Sequence, residues 1–308
     1  MADPGLHIAV LKGGWSSERD VSLVSGAACA DALRGEGYRV TEVDVASPDL
    51  ADLLAALTPS PDVVFNGLHG RGGEDGTIQG VLDLLGVPYT HSGVAASAIA
   101  MDKPLTKALV ASVGVQSPDG LTVAARDVPA FDAFPAPYIV KPAAEGSSVG
   151  VRLVHAGSNA PAGAAVPADD TPMLIERFIP GRELTVGVMG DRALAVTDVR
   201  YDHGFFDYDA KYVAGHAVHV LPADVPDAIR DRVMDWALLV HRTLGCAGIS
   251  RSDFRWDDRG GVDQVYFLEI NTQPGFTPIS LVPEQAQHLG IGFGALCRWL
   301  VEDAQCRR

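Results

Sequence analysis

The first third of the chain alternates between strand-like and helix-like patterns of apolar residues. Residues 7–14 form a nearly unbroken apolar run that ends in glycines, as buried strands often do. Over residues 17–37 the apolar positions recur at helical spacing, and two glycines then end the pattern. The alternation continues as strand, strand and helix over residues 38–45, 61–70 and 77–86. This order predicts an open α/β sheet of parallel strands that extends to about residue 97.

The rest of the chain mixes strands and helices without that regular alternation. A helix is predicted over residues 101–114, with Pro104 in its first turn, where proline is tolerated. Strand–turn–strand patterns follow at residues 137–154 and 173–190, and the proline-rich stretch 158–172 between them is typical of a surface connection. A long amphipathic helix and a closing helix are predicted over residues 224–244 and 290–304. This part favours an α+β arrangement.

Two polar side chains interrupt an apolar strand near residues 265–271. Glu269 and Asn271 are two residues apart, so they point to the same face of the strand. Burying a carboxylate beside an amide is costly unless something binds them. Together with Asp253 they offer oxygen ligands, which suit a hard divalent cation held with substrate phosphates. An ion pair with Arg251, two residues away on its strand, is the alternative for Asp253.

A loop of small residues follows Lys141 at the end of another apolar strand. It contains Gly146, Ser147, Ser148 and Gly150. Small residues let backbone N–H groups approach a phosphate closely, and Lys141 would add a point charge. The loop joins two strands and does not match G-x-x-x-x-G-K-[ST]. An ordinary flexible hairpin is the alternative.

The turn at residues 175–183 has features of a nucleoside site. Peptide groups near Phe178 and Ile179 could hydrogen-bond the edge of an adenine, and a carboxylate such as Glu183 could hold ribose hydroxyls. A solvated turn with flanking charges is the alternative.

Three further stretches have compositions typical of substrate contacts. Glu18 is expected in the first turn of a helix, where interaction with the helix dipole is the simpler explanation. Residues 67–77 contain five glycines and one histidine, which indicates close approach to a ligand or a set of turns. Residues 205–215 are aromatic and charged without periodicity, which favours a mobile loop or a surface packing flap.

Composition narrows the classes of function. The 308-residue chain carries 24 basic and 39 acidic residues, a net charge of −15, so a nucleic-acid partner is not expected. Only five lysines are present, so an acidic protein that binds phosphate would have to concentrate its few cations in one place. The four cysteines form no C-x-x-C pair, no signal peptide is evident, and no apolar run reaches about 18 residues. We expect a soluble, reduced, cytoplasmic protein.

Eight stretches, in order along nearly the whole chain, resemble the D-alanine–D-alanine ligases of the ATP-grasp superfamily. They are GG-x-SSERDVSL-x-SG, LHGRGGEDGTIQG, MDK, IVKPAAEGSSVGV, IERFIPGRELTVGV, DYDAKY, SRSDF and LEINTQPGFTPISLVP. The resemblance implies an N-terminal α/β domain (1–97), then central (98–179) and C-terminal (180–308) domains that clasp ATP. It implies that two D-alanines are joined through an acyl phosphate, with release of ADP and phosphate, for peptidoglycan precursor synthesis. A homodimer is expected because the family usually dimerises.

The resemblance also implies the nucleotide and metal contacts. ATP would contact Lys103, Lys141, Glu145, Ser147, Ser148, Glu176, Arg177, Phe178, Ile179, Glu183 and Lys211. The lysines and serines would bind the phosphates, the 176–179 stretch would frame adenine, and Glu183 would bind the ribose. Two magnesium or manganese ions would be held by Asp253, Glu269 and Asn271.

The amino-acid sites follow from the same resemblance. Catalytic and substrate-binding roles fall to Glu18, His69, Ser147, Lys211, Tyr212, Arg251, Gly275, Ser280 and Leu281. Glu18 would bind the ammonium of the first D-alanine, near His69. Arg251 and the N–H of Gly275 would polarise the carboxylate and then the oxyanion, and Ser280 and Leu281 would hold the second carboxylate. Lys211 and Tyr212 would come from a loop that closes over the site, with Tyr212 linked to Glu18 through Ser147. No base for the second D-alanine is assigned.

Some positions depart from the family pattern. Arg177 and Phe178 stand where lysine and tryptophan are frequent, and Phe276 stands where methionine is common. Backbone contacts should survive these changes, whereas a lysine contact to the base would change. The sequence YDAKY at 208–212 is the form that goes with D-alanine as second substrate. The alternatives are a depsipeptide or D-Ala–D-Ser ligase of the same fold, and a nucleotide-sensing protein without turnover, which would lack a metal ligand or the arginine at 251.

Overall fold

The computed structural model describes most of the chain, in five stretches. These are residues 5–130, 135–146, 150–155, 169–201 and 217–308. They contain a parallel sheet followed by two antiparallel sheets. The predicted loop at 205–215 lies outside the described residues, as does most of the predicted connection at 158–172.

The N-terminal sheet is parallel, as the alternation of strands and helices predicts. Its strands are β1 (His7–Gly13), β2 (Arg39–Val45) and β3 (Val63–Asn66), in the order β2-β1-β3. The helices that alternate with them are α1 (Arg19–Gly35), α2 (Leu50–Ala56) and α3 (Thr77–Leu85). The segments after β1 and β3 meet at the carboxyl edge of the sheet, where the Ser16 hydroxyl donates to the backbone oxygen of His69 at 2.7 Å. This edge is where ligands bind in open parallel sheets.

Two short helices lead from the parallel sheet to the antiparallel ones. They are α4 (Val94–Met101) and α5 (Lys103–Ala111). The Asp102 carboxylate caps α5 by accepting a hydrogen bond from the Leu105 N–H at 3.0 Å. The helix predicted over residues 101–114 therefore exists in a shorter form. Residue 97, the predicted end of the first domain, lies inside α4.

The second sheet has four antiparallel strands. They are β4 (Gly120–Ala124), β5 (Tyr138–Pro142), β6 (Arg152–Val154) and β7 (Pro172–Arg177), in the order β4-β7-β5-β6. A 3₁₀ turn at Ala125–Ala130 packs Val128 against Val140 and Ile175 in a small core. This sheet carries Lys141 and Glu176 on neighbouring strands.

The third sheet has five antiparallel strands and a long helix against it. The strands are β8 (Arg182–Met189), β9 (Arg192–Tyr201), β10 (Ala217–Val220), β11 (Ile249–Trp256) and β12 (Val265–Asn271), in the order β10-β9-β8-β11-β12. Helix α6 (Asp227–Leu244) buries Val233 and Val240 against Phe254 and Phe267. The predicted amphipathic helix is therefore present, and it begins at residue 227.

Two C-terminal helices return the chain to the parallel sheet. They are α7 (Leu281–His288) and α8 (Phe293–Asp303), and α8 is the predicted closing helix. Val282 and Leu296 share a core with Ile8 and Val10 of β1. Within the described stretches, none of the helices is both long and apolar enough to cross a membrane. The four cysteines are free thiols.

Candidate active site

A cleft between the two antiparallel sheets gathers most of the predicted nucleotide contacts. It holds about 840 Å³ of space, part of it open to solvent. All the predicted ATP contacts that fall on described residues line it, namely Lys103, Lys141, Glu145, Glu176, Arg177, Phe178, Ile179 and Glu183. Asp253 and Glu269 line the same cleft. One cavity therefore combines the predicted nucleotide contacts with two of the predicted metal ligands.

Glu176 lies between two lysine ammonium groups inside this cleft. Its Oε1 is 2.5 Å from Lys141 Nζ, and its Oε2 pairs with Lys107 Nζ. Burial opposes ionisation, but the two ammonium groups lower the pKa of Glu176 to about 2. Burial and the nearby charge of Lys141 lower the pKa of Lys107 to about 8, and the Glu176 carboxylate offsets them only in part. Two cations on one anion leave a net positive charge, which suits phosphate groups.

Lys103 connects the loop after β5 to the predicted metal ligands. Its Nζ donates to the backbone oxygen of Glu145 at 2.6 Å and lies 3.4 Å from Oε2 of Glu269. Its backbone N–H donates to the backbone oxygen of Ala143 at 3.1 Å. Because Lys107 is one turn further along α5, a single helix supplies one ammonium group that lines the cleft and a second that pairs with Glu176 behind it.

The turn from β7 to β8 passes from one antiparallel sheet to the other. Ile179 is buried, and the Arg177 guanidinium lies over the Tyr266 ring, 5.1 Å from its centroid. The Tyr201 hydroxyl donates to Oε1 of Glu183 at 3.3 Å. Burial and the Glu183 charge raise the pKa of Tyr201, so its hydroxyl keeps its proton. The predicted ribose ligand is therefore held in place by a neutral donor.

The three predicted metal ligands lie together on two paired strands. Asp253 of β11 is opposite Glu269 of β12, and Arg251 is opposite Asn271. The amide nitrogen of Asn271 is 3.4 Å from Oδ2 of Asp253. The Thr185 hydroxyl donates to Oδ1 of Asp253 at 2.6 Å. Strand pairing thus places two carboxylates and an amide on one surface.

Arg251 and Asp253 also form the ion pair that the sequence allows as an alternative. Arg251 Nε lies 2.9 Å from Oδ1 of Asp253, and Nη2 lies 2.8 Å from Oδ2. Among the described residues, no group of three or more His, Cys, Asp or Glu side chains could hold a metal ion. The set of two carboxylates and one amide fits a hard cation only if phosphate oxygens complete the coordination. The metal role of these residues stays a prediction.

Glu18 is buried at the carboxyl edge of the parallel sheet. It occupies the N-cap position of α1, one residue before the predicted first turn, and its side chain makes no capping hydrogen bond. A β-carbon added at Gly146 would collide with Oε1 of Glu18, and one added at Gly70 would lie 3.2 Å from that atom. Two glycines thus leave room for the carboxylate. This placement disfavours a simple capping role.

His69 lies in the loop after β3, close to Glu18. Its Nδ1 is 3.0 Å from Oε1 of Glu74, and its Nε2 is 3.3 Å from the Ser25 hydroxyl. Burial opposes protonation, but Glu74, with a smaller contribution from Glu18, raises the pKa of His69. The neighbouring carboxylates therefore stabilise a positive charge on the ring beside the predicted amino-acid site.

Gly275 and Ser280 belong to the turn that follows β12. The Thr277 N–H donates to the Ser280 hydroxyl oxygen at 2.9 Å, and a β-carbon at Gly275 would lie 3.7 Å from that oxygen. Ser280 and Leu281 are the N-cap and first residue of α7. Backbone N–H groups at a helix N-terminus favour an anion.

A buried amide pair joins this turn to the loop that carries His69. Asn66 Nδ2 donates to Oε1 of Gln273 at 2.7 Å, and Gln273 Nε2 donates to the backbone oxygen of Leu68. Since Gln273 is two residues before Gly275, this pair fixes the position of Gly275 relative to the loop that carries His69.

Some of the predicted site residues lie outside the described stretches, and some residues observed in the site were not predicted from the sequence. Ser147, Ser148, Lys211 and Tyr212 are outside the described residues, so their roles stay predictions. The sequence predictions do not include Lys107, Arg255 or Gln273. Lys107 could have been found from its four-residue spacing to Lys103, and Arg255 from its alternation with Asp253. Gln273 has no comparable signal.

Comparisons with known proteins agree with this geometry. Residues 125–302 match the family model described as D-ala D-ala ligase C-terminus, and residues 52–92 match D-ala D-ala ligase N-terminus. The chain is 57% identical to a D-alanine–D-alanine ligase of Dinoroseobacter shibae, over 98% of this chain and 96% of that protein. It is 54% identical to the same-named protein of Gluconobacter oxydans, over 98% of this chain and all of that protein.

Solved structures show the same likeness. A D-alanine–D-alanine ligase from Bacillus anthracis complexed with ATP has a TM-score of 0.80 and 26% identity, with 97% of each chain covered. A second structure of the ligase from that organism has a TM-score of 0.81 and 30% identity, again over 97% of each chain. The chain therefore has the ATP-grasp fold and belongs to the D-alanine–D-alanine ligase family.

Proposed function

We propose that this protein is an ATP-dependent ligase that joins two D-alanines into D-alanyl-D-alanine for peptidoglycan precursor synthesis. The observation that carries the proposal is the cleft in which Lys103, Lys141 and Glu176 share one cavity with Asp253 and Glu269. Cations for phosphates and oxygen ligands for a metal ion are thus available beside one another. The full-length similarity to D-alanine–D-alanine ligases supports the same activity.

ATP would lie in the cleft with its base at the turn from β7 to β8. The turn would offer backbone groups near Ile179 to adenine, and Glu183 would accept hydrogen bonds from the ribose hydroxyls. Lys103 and Lys141 would face the phosphates because both ammonium groups line the cleft. Lys103 also contacts the backbone of the loop after β5, so phosphate binding and loop position are coupled.

Asp253, Glu269 and Asn271 would hold the magnesium or manganese ions. Bound metal would neutralise phosphate charge during transfer. The residues present fit this task because carboxylate and amide oxygens are ligands for hard cations. Arg251 and Asp253 form an ion pair with each other. When ligands bind, Arg251 would turn part of its contact to the substrate and Asp253 would turn part of its contact to the metal ion.

The first D-alanine would bind with its ammonium at Glu18 and its carboxylate towards Arg251. A carboxylate oxygen then attacks the γ-phosphorus of ATP, which yields an acyl phosphate and ADP. Arg251 and the Gly275 N–H would withdraw charge from the carbonyl oxygen. The nitrogen of the second D-alanine attacks the carbonyl carbon after losing a proton, and phosphate leaves. Ser280, Leu281 and the N-terminus of α7 would hold the carboxylate of the second D-alanine. The base remains unassigned.

The setting of the reaction belongs to the same proposal. Three domains, at residues 1–97, 98–179 and 180–308, would bring ATP and the amino acids together. The protein would act in the cytoplasm as a homodimer. No nucleic acid is expected as a partner because the chain is acidic, and no membrane is expected because no apolar run in the sequence reaches about 18 residues.

A product assay tests the proposal. The purified protein is supplied with ATP, magnesium and D-alanine, and the dipeptide and ADP are measured by mass spectrometry. We expect D-alanine to stimulate ADP release and to be converted to D-alanyl-D-alanine. Adding D-lactate or D-serine as a competing second substrate should leave the dipeptide as main product. ADP release that D-alanine does not stimulate would reject the proposal, and a depsipeptide as main product would favour the related ligase.

A further inference from the structure

We propose that Arg255 is a positioning residue for the nucleotide, which sets the selectivity of the cleft for adenine and for a ribose with its 2′-hydroxyl. The inference rests on the proposed function in one respect, namely that a nucleotide occupies the cleft. Arg255 lies on β11 and lines the cleft. It contacts the residues that are predicted to bind the base and the sugar of the nucleotide.

The Arg255 guanidinium donates hydrogen bonds to backbone oxygens of the turn between β7 and β8. Nε donates to the backbone oxygen of Ile179 at 3.1 Å, and Nη2 donates to that of Gly181 at 2.9 Å. The guanidinium carbon also lies 5.6 Å from the centroid of the Phe178 ring. A planar fork can make both hydrogen bonds and still stack on a ring, which a lysine cannot reproduce.

The same side chain reaches the predicted ribose ligand. Arg255 is opposite Glu183 in the pairing of β11 with β8, and its Nη1 lies 3.7 Å from Oε2 of Glu183. Both side chains are about 15% exposed, so the pair is partly shielded from solvent. One guanidinium therefore touches the base end and the sugar end of the predicted nucleotide site.

The backbone conformation of the turn is also restricted by its own residues. Pro180 fixes its own φ and offers no N–H. Gly181 has a φ of +93°, and a β-carbon there would collide with the backbone oxygen of Trp256. With the oxygens of Ile179 and Gly181 held by Arg255, the turn presents its remaining peptide groups to the cleft in one orientation.

A fixed orientation of peptide groups discriminates between bases. Adenine presents a donor at N6, whereas guanine presents an acceptor at O6. A peptide that cannot rotate can match only one of these patterns, and the unmatched base leaves polar groups unpaired. Without Arg255 the turn can rotate, so discrimination against guanine should fall. Loss of the contact to Glu183 should weaken discrimination against 2′-deoxyribose in the same way.

The test measures nucleotide binding without D-alanine. Calorimetry on Arg255→Met and Arg255→Lys would give Kd values for ATP, GTP and 2′-deoxy-ATP in the presence of magnesium. We expect Arg255→Met to weaken ATP binding at least about tenfold and to bring the GTP/ATP and 2′-deoxy-ATP/ATP ratios of Kd closer to one. Arg255→Lys, which keeps the charge and the stem, should fall between the wild type and Arg255→Met. In the ligation assay, KM for ATP should rise more than kcat falls.

Arg259→Met is the matched control. Arg259 is exposed and pairs with Asp257, two residues away, so its loss should leave all three Kd values unchanged. If Arg255→Met does not fold, the GTP/ATP and 2′-deoxy-ATP/ATP ratios of Kd for Arg255→Lys test the inference instead. A folded Arg255 variant whose two ratios equal those of the wild type would overturn the inference. A protein that binds ATP selectively but forms no dipeptide would reject the proposed ligation and leave the inference intact.

Discussion

Replacing Glu176 by glutamine should destabilise the protein because it leaves two buried ammonium groups without their shared carboxylate. Glu176 is 2% exposed, and the Lys107 and Lys141 side chains are 12% and 9% exposed. The difference between an ordinary glutamate pKa of 4.5 and a value of about 2 corresponds to about 3 kcal/mol of stabilisation. Removing one partner from a buried ion pair has a similar cost, about 3–5 kcal/mol.

Urea titrations at pH 7 would give the free energy of unfolding for the wild type and Glu176→Gln. Glu302→Gln is the control, because Glu302 is half-exposed and its ion pair with Arg298 should contribute less than about 1 kcal/mol. Adding Lys107→Met to Glu176→Gln should recover part of the loss, since one of the two unpaired cations is removed. A Glu176→Gln protein within about 1 kcal/mol of the wild type would refute this reasoning.

The pH dependence of the same variant has a defined sign. Because the pKa of Glu176 is lower in the folded state, its stabilisation is present above pH 4.5 and is lost as the pH falls towards about 2. The difference in unfolding free energy between the wild type and Glu176→Gln should therefore shrink below pH 4.5. A difference that grows over that range would contradict the assigned cause.

Three further predictions concern the site. Lys107→Met removes a lysine whose pKa is about 8 in the folded protein and 10.5 ordinarily. The unfolding free energy of the wild type, measured relative to this variant, should therefore rise between pH 8 and pH 10.5. A fall over that range would contradict the assignment. Gly146→Ala should push the Glu18 carboxylate from its position, so KM for the first D-alanine should rise about tenfold while the melting temperature changes little; an unchanged KM would remove Glu18 from that site. Glu269→Gln should raise the magnesium concentration needed for half-maximal activity, and a normal kcat at low magnesium would exclude Glu269 as a ligand.

Local patterns were sufficient to predict the parallel sheet and the strand that carries Glu269. The apolar run of β1, the glycines after it and the helical spacing of α1 are each visible within a few residues. The face shared by Glu269 and Asn271 follows from strand alternation alone. Short helices were less predictable: α4 is apolar nearly all round, and α7 has a proline in its first turn, so neither shows a clear periodicity.

Contacts made across the fold could not be read from the sequence. Lys107 meets Glu176 only because α5 packs near β7, 69 residues further along the chain. Asn66 meets Gln273 across 207 residues. Such pairs depend on how the sheets are arranged, and a single sequence carries no signal of that arrangement. The Arg251–Asp253 ion pair is the contrasting case, because its two residues lie on one face of one strand.

The chemistry proposed here is tested most directly by following an oxygen atom. D-alanine labelled with ¹⁸O in its carboxylate would be incubated with ATP, magnesium and the protein, and the released phosphate would be examined by mass spectrometry. Transfer through an acyl phosphate predicts one labelled oxygen in the phosphate for each D-alanyl-D-alanine formed. Dipeptide formation with unlabelled phosphate, or no dipeptide at all, would contradict it.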